Sequence, residues 1–279
     1  MDYSINELEK EAIEIRKRTL EVIYNAGGGH TGGSMSLVDI LTALYFSVMN
    51  IDPENMNDNK RDRFILSKGH SVEGYYAVLE RRGFIDRALL DTYGKFNSDL
   101  TGHPTRKIKG IEVNSGALGH GLSVGVGMAL ASKRQNLGFN TYVLMGDGEH
   151  GEGSIMEAAA SAGHYKLDNL VAIIDRNNLQ ISGRTEDVLA IEDLQKKYEA
   201  NGWAVVNVDG HDMGALIDVF NSCPVEANKP TFIIANTIKG KGASFMENKA
   251  VWHHKVPTAE ELELAIKELN ERKEALYVK

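Results

Sequence analysis

Two apolar runs, Thr141–Met145 and Leu170–Asp175, each break off into polar residues. The first leads into Gly146-Asp147-Gly148, the second into Arg176-Asn177-Asn178-Leu179. One helical segment, Glu152–His164, lies between them, so the three pieces read as a βαβ unit. Such a unit takes roughly thirty residues, and Asp147 and Asn177 are thirty positions apart. The spacing therefore puts both side chains at the same edge of neighbouring parallel strands. Open α/β sheets bind their ligands beyond that edge.

The alternation extends along the chain. Arg63–Leu66, Trp203–Val208 and Thr231–Asn236 read as further strands. Helical segments are expected at Ser71–Arg81, Ile191–Asn201 and Met213–Asn221. Near the start, Leu8, Ala12, Ile15, Leu20 and Ile23 recur at near-helical spacing. Gly116–Gly121 opens a helix of small residues to about Gln135, and an amphipathic helix runs from Thr258 to about Ala275. The apolar stretch from Met35 reads as a buried helix through Met49, capped by Ser36. Strands alternating with helices imply right-handed crossovers and a mostly parallel sheet with helices on both faces. No repeat, low-complexity run or linker divides the sequence, so residues 1–279 read as a single α/β domain.

Composition excludes several classes of function. Lys and Arg total 31 against 39 Asp and Glu, a net charge of −8, and the basic residues are not clustered. No basic patch is available to displace counterions from nucleic acid or an anionic membrane. The Met35–Ile51 stretch carries Asp39, Thr42 and two serines and is shorter than the ~20 residues a span needs. The N-terminus is acidic and lacks the apolar core of a signal peptide. A single cysteine, Cys223, rules out a disulfide framework and fits a reducing compartment. A cytoplasmic location is expected.

Asp147 and Asn177 offer oxygen ligands to a hard divalent cation. Mg²⁺ is commonly held by one or two carboxylates together with substrate phosphates. The glycines flanking Asp147 permit close approach of a diphosphate and leave amides free to donate. Either motif alone is commonly just a turn; the pair on consecutive strands points to a metal–diphosphate site.

The segment from Gly146-Asp147-Gly148 to Asn177-Asn178 resembles the thiamin diphosphate signature, and the rest resembles the N-terminal half of transketolase. The matching pieces span nearly the whole chain. They are the Gly29-His30 cluster, Ser67-Lys68-Gly69-His70, Thr101-Gly102-His103-Pro104, Ser115-Gly116-Ala117-Leu118-Gly119, the signature, Thr237–Gly242, and Trp252-His253. The resemblance implies the thiamin diphosphate-binding fold. It implies Asp147, Asn177 and the Leu179 carbonyl as Mg²⁺ ligands, with Gly148, His70 and Lys239 against the diphosphate. Gly116, Ala117 and Leu118 would lie along the aminopyrimidine through backbone groups. His30, His103 and His253 match the substrate-facing histidines, which move protons or bind sugar hydroxyls. Glu152 matches a glutamate that bonds across the dimer to the cofactor-activating glutamate. His120 and His254 depart from the pattern, which often has glutamine and commonly glycine at those places. His150, His164 and His211 read as structural or surface residues.

The implied reaction is reversible transfer of a two-carbon ketol unit from a ketose phosphate to an aldose phosphate, as in the pentose phosphate pathway. In transketolases the activating glutamate and the arginines that grip the sugar phosphate belong to a second, pyrimidine-binding domain. No second sheet follows before Lys279. The resemblance therefore implies a split enzyme: a partner chain carries the other domain, two copies of each chain assemble, and the isolated chain is inactive. Three other readings compete. The N-terminal half of a deoxyxylulose-phosphate synthase shares the signature and Asp209-Gly210-His211-Asp212, but Ser67–His70 and Thr101–Pro104 resemble transketolase better. A non-catalytic module would not need four matched histidines. A nicotinamide-binding domain is suggested by the Gly119–Gly127 run, but no clear strand precedes it.

Overall fold

The structure, a computed structural model, describes residues 3–277. Among these residues a sheet of five parallel strands runs in the order β1-β2-β3-β7-β6. The strands are β1 (Arg63–Leu66), β2 (Thr141–Gly146), β3 (Leu170–Arg176), β6 (Ala204–Asp209) and β7 (Thr231–Asn236). A two-stranded antiparallel hairpin, β4 (Leu179–Gln180) with β5 (Gly183–Arg184), follows β3 directly. The helices are α1 (Ile5–Ala26), α2 (Thr31–Ser36), α3 (Val38–Ala43), α4 (Val72–Arg81), α5 (Arg87–Leu90), α6 (His120–Gln135), α7 (Gly153–His164), α8 (Thr185–Val188), α9 (Leu194–Ala200), α10 (Met213–Asn221) and α11 (Ala259–Ala275).

Strands β2 and β3 are buried along their whole length because both sheet faces are covered. Side chains alternate between two cores. Tyr142, Leu144, Val171 and Ile173 pack with α1, α3, α4 and α10 through residues such as Leu8, Leu41, Leu79 and Phe220. Val143, Met145, Ala172 and Ile174 face the other way, onto Leu122 of α6, Ile155 of α7 and Tyr198 of α9. Each fully buried Val, Leu, Ile or Met among them contributes about 1.5–3 kcal/mol. A smaller third core joins α11 to α1 through Leu269, Leu20, Met35 and Trp252.

Local chemistry sets the helix ends. Ser4 with Glu7, and Thr258 with Glu261, form capping boxes at the starts of α1 and α11. Asp193 and Asp212 cap α9 and α10, so α9 begins at Leu194 rather than the expected Ile191. The expected helix through Met49 is broken into α2, α3 and a wider-turned segment, Leu44–Val48. Ser36 does not cap it. Ser36 ends α2, and its hydroxyl donates instead to Asp175 Oδ2 at 2.7 Å, a long-range partner that the local sequence does not reveal. Among the described residues no helix is long and apolar enough to cross a membrane.

Candidate active site

The carboxyl ends of four adjacent strands converge on one cavity of about 400 Å³, within the range of small-molecule sites. Beyond β1 the chain supplies Lys68 and His70, beyond β2 Asp147 and Gly148, beyond β3 Asn177, and beyond β7 Lys239. His30 at the start of α2 and His253 and His254 after Trp252 form the upper wall.

A buried carboxylate fixes the floor. Asp175 accepts from Lys68 Nζ, from Thr237 Oγ1 and from Ser36 Oγ, the last at 2.7 Å. Burial opposes its charge, but Lys68 and these donors outweigh burial and hold the carboxyl below its ordinary range. Lys68 also donates to the Gly33 carbonyl at 3.2 Å. A Cβ on Gly33 would lie 2.5 Å from Ser71 Oγ, so no side chain fits where α2 meets this floor.

The tips of β2 and β3 are joined through Asp147. Its Oδ1 accepts from Arg176 Nη1 at 2.9 Å and its Oδ2 from the Asn177 backbone N–H at 2.9 Å. Arg176 also reaches Glu192 at 2.7 Å and Glu186 at 3.3 Å. Burial pushes the Asp147 carboxyl up to about 6 against the pull of Arg176. Asn177 Oδ1 accepts from the Leu179 N–H at 3.1 Å. His150, buried, spans the Gly146 carbonyl at 2.9 Å and the Tyr198 hydroxyl at 3.2 Å, which steadies the turn leading to Asp147.

Imidazoles crowd the upper wall. The His30 ring lies 5.2 Å from His70, 5.6 Å from His253 and 4.5 Å from His254, centre to centre. Lys239 Nζ lies 3.0 Å from His253 Nδ1. Burial and then neighbouring cationic groups hold His30 down to about 4 and His253 to about 3, and push His70 well below the usual imidazole range. Burial and Lys68 lower Lys239 to about 8. Glu73, itself buried, accepts from the His30 N–H at 3.2 Å, the Tyr93 hydroxyl at 2.6 Å and Ser34 Oγ at 2.7 Å, and so fixes the backbone that carries His30.

Of the residues singled out from sequence, His30, His70, Gly116, Leu118, Asp147, Gly148, Asn177, Leu179, Lys239 and His253 line this cavity. His103, Ala117 and Glu152 do not line it. His103 packs against Gly116, where an added Cβ would meet it at 3.1 Å, and its ring is 6.5 Å from that of His30. Glu152 stands beside Gly119. His164 is exposed at the end of α7, and the His211 side chain is buried against Asp39. Lys68, Glu73, Glu149, Asp175 and Arg176 receive no role from sequence. Glu149 is buried two residues beyond Asp147, with Gly119 N–H and Gly146 N–H donating to it at 2.9 and 3.1 Å. A second acid in the Gly146–Gly151 turn is the available signal for it.

The donor set fits a magnesium diphosphate. Oxygens from Asp147, Asn177 and the Leu179 carbonyl are the hard ligands such a cation takes. His70 and Lys239 stand in the same cavity as donors toward anionic oxygens. Gly148 leaves room: a Cβ there would meet Gln180 Oε1 at 2.7 Å. Ser71 Oγ and Ser115 Oγ are buried without a hydrogen-bond partner among the described residues, beside the His70 turn.

Residues 8–277 match the family model for the transketolase, thiamine diphosphate binding domain. The chain is 53% identical over 272 residues to one of the subunits of an apulose-4-phosphate transketolase from Phocaeicola vulgatus, covering 98% of this chain and 97% of that one. The chain belongs to the transketolase family. It is also 43% identical over 264 residues to a 6-deoxy-6-sulfo-D-fructose transketolase subunit from a Clostridium species, covering 94% and 96% of the two chains. A solved transketolase variant from Pichia stipitis superimposes with a TM-score of 0.87 at 30% identity, over 97% of this chain and 41% of the other. This transketolase chain therefore has the thiamin diphosphate-binding fold, and thiamin diphosphate is the cofactor of its domain.

Proposed function

We propose that residues 1–279 act as one diphosphate-binding unit, the thiamin diphosphate subunit of a two-chain transketolase. The reaction is reversible transfer of a two-carbon ketol unit from a ketose phosphate to an aldose phosphate. The observation that carries this reading is the meeting, in one cavity, of an oxygen donor set at the β2 and β3 tips with imidazoles on the opposite wall. The relatives named as transketolase subunits, matched over almost their full length, support the two-chain arrangement.

Thiamin diphosphate, when bound, would supply nucleophilic carbon chemistry toward a sugar carbonyl. The chain's own residues hold and surround it. Asp147, Asn177 and the Leu179 carbonyl would hold Mg²⁺; His70, Gly148 and Lys239 would hold the diphosphate. Gly116, Ala117 and Leu118 offer backbone groups along the pyrimidine. His30 and His253, kept neutral near pH 7, are able to accept or donate a proton at the sugar hydroxyls. His103, packed beside Gly116, is assigned with them to the substrate. Glu152 is exposed at the start of α7, where it would share a proton with a partner's carboxyl group. We place two copies of each chain in the assembly, and the assembly in the cytoplasm.

The test is reconstitution. The chain is mixed with a candidate C-terminal subunit, thiamin diphosphate and Mg²⁺, and ketol transfer from a ketose phosphate is followed with aldose phosphate as acceptor. Turnover by the mixture and by neither chain alone is expected. Robust turnover by this chain alone overturns the two-chain reading, and pyruvate as the preferred donor overturns the ketol-transfer reading.

A further inference from the structure

We propose that His30, His253 and His254 form a site for a zinc-class transition metal at the mouth of the cleft, distinct from the oxygen site at the β2 and β3 tips. One ring nitrogen from each of the three lies within 4.8 Å of those of the other two. The ring of His254 is close to both partners, 4.5 Å from His30 and 4.6 Å from His253 between centres.

The geometry needs little adjustment. A tetrahedral ion bound at about 2.0–2.1 Å by each nitrogen requires nitrogens roughly 3.4 Å apart. His254 is exposed, so its ring is free to turn inward by the remaining distance. The other two are anchored. Glu73 holds the His30 backbone, and buried Trp252 holds the turn that carries His253. All three residues line the cavity, and three protein ligands leave a fourth position for water or a ligand held there, as in sites with an open coordination position.

Ligand chemistry separates the two sites. Imidazole nitrogen suits Zn²⁺, Co²⁺, Ni²⁺ and Cu²⁺, whereas Mg²⁺ prefers oxygen. Saturating Mg²⁺ therefore leaves the histidine site available. The nearer opposing charge is Lys239, 3.0 Å from His253 Nδ1; Lys68 also bears on His30 and His253. Lys68, the other cation lining the cavity, is paired with Asp175. Removing the Lys239 charge should tighten metal binding, the reverse of what removal does when a residue merely supports the fold. If the proposed function holds, a bound metal occupies His30 and His253 and excludes the sugar, so Zn²⁺ is a competitive inhibitor.

The test reads metal directly and uses neither sugar nor thiamin diphosphate, so it stands apart from the transketolase assay. Co²⁺ is titrated into the untagged chain in excess Mg²⁺, and its visible absorption is followed. One equivalent should produce the strong bands of a four-coordinate ion, bleached by Zn²⁺. His254→Ala and His30→Ala should each weaken binding at least tenfold, while Lys239→Ala should strengthen it and His164→Ala leave it unchanged. Absence of the bands in the wild-type chain, or bands that survive unaltered in a folded His254→Ala variant, overturns the proposal.

Discussion

The backbone N–H of Asn177 donates to Asp147 Oδ2 at 2.9 Å, so the tip of β3 is latched to the tip of β2 by one of the two oxygens proposed to face the metal. The latch forms because Gly146 and Asp175 are register partners, which sets the following residues side by side. Arg176 occupies the other carboxylate oxygen at 2.9 Å. Each carboxylate oxygen has two lone pairs, so both contacts leave acceptor capacity for a cation.

Asp147→Asn removes the charge and nearly preserves the shape. With the partner chain present, thiamin diphosphate and Mg²⁺ at about a hundred times their dissociation constant stabilise a protein by about 2.7 kcal/mol. For a chain of 279 residues that corresponds to roughly 5 °C at most in the melting temperature. The shift should disappear in Asp147→Asn, as read by thermal denaturation with and without ligands. An undiminished shift would remove Asp147 from the metal site.

Lys239→Ala should weaken thiamin diphosphate binding at least tenfold. A charged hydrogen bond is worth about 1.5–3 kcal/mol, and Lys239 is buried and lines the cavity. Calorimetric titration with thiamin diphosphate gives the affinity. Equal affinities would make Lys239 a packing residue.

Asp39 pairs with Arg16 at 2.6 Å and accepts from His211 Nδ1 at 2.6 Å, all three side chains well buried. His211 in turn accepts from the Ile238 N–H at 2.8 Å, which ties this cluster to the loop bearing Lys239. Burial would raise the Asp39 carboxyl, but Arg16 and His211 overcome it and hold it well below the usual carboxylate range. A depressed native pKa contributes stability above the unfolded pKa and loses it as pH falls through the native one. Asp39→Asn should therefore cost about 3–5 kcal/mol at pH 7. The gap to wild type should narrow below about pH 4. Urea denaturation at a series of pH values checks it; a gap constant with pH would contradict the sign.

Cys223 is the single cysteine, half-buried, and its thiol donates to the Val219 carbonyl at 3.3 Å. Burial raises it to about 11 from an ordinary 9. The thiolate fraction at pH 8 is then about a hundredfold lower than in the unfolded chain. Iodoacetamide should label the native protein roughly a hundredfold more slowly than the protein in urea, as measured by mass spectrometry. Comparable rates would refute the raised pKa.

Period and punctuation are enough to read the strands, because β2, β3 and β7 are apolar runs ending in Gly-Asp-Gly, Asn-Asn and Thr-Ile-Lys. Those endings also expose Asp147, Asn177 and Lys239. Residues whose role depends on distant partners are invisible. Glu73 serves His30, forty-three positions away, and Asp175 meets Ser36 across 139. No local pattern marks such pairs. Ser36 shows the hazard: its place before an apolar run suggests a cap, while burial beside Asp175 gives its hydroxyl a stronger claim. The β4–β5 hairpin leaves no periodic signal because each strand is two residues long.

Asp175 clamps β1, α2 and β7 together from a fully buried position. The ordering of the cleft floor is thereby completed during folding, before any ligand arrives. A visiting diphosphate meets a finished mould and spends little of its interaction energy on reshaping it. Loosening that one carboxyl group should therefore be felt as a slackening of grip on the ligand, even though the group never touches it.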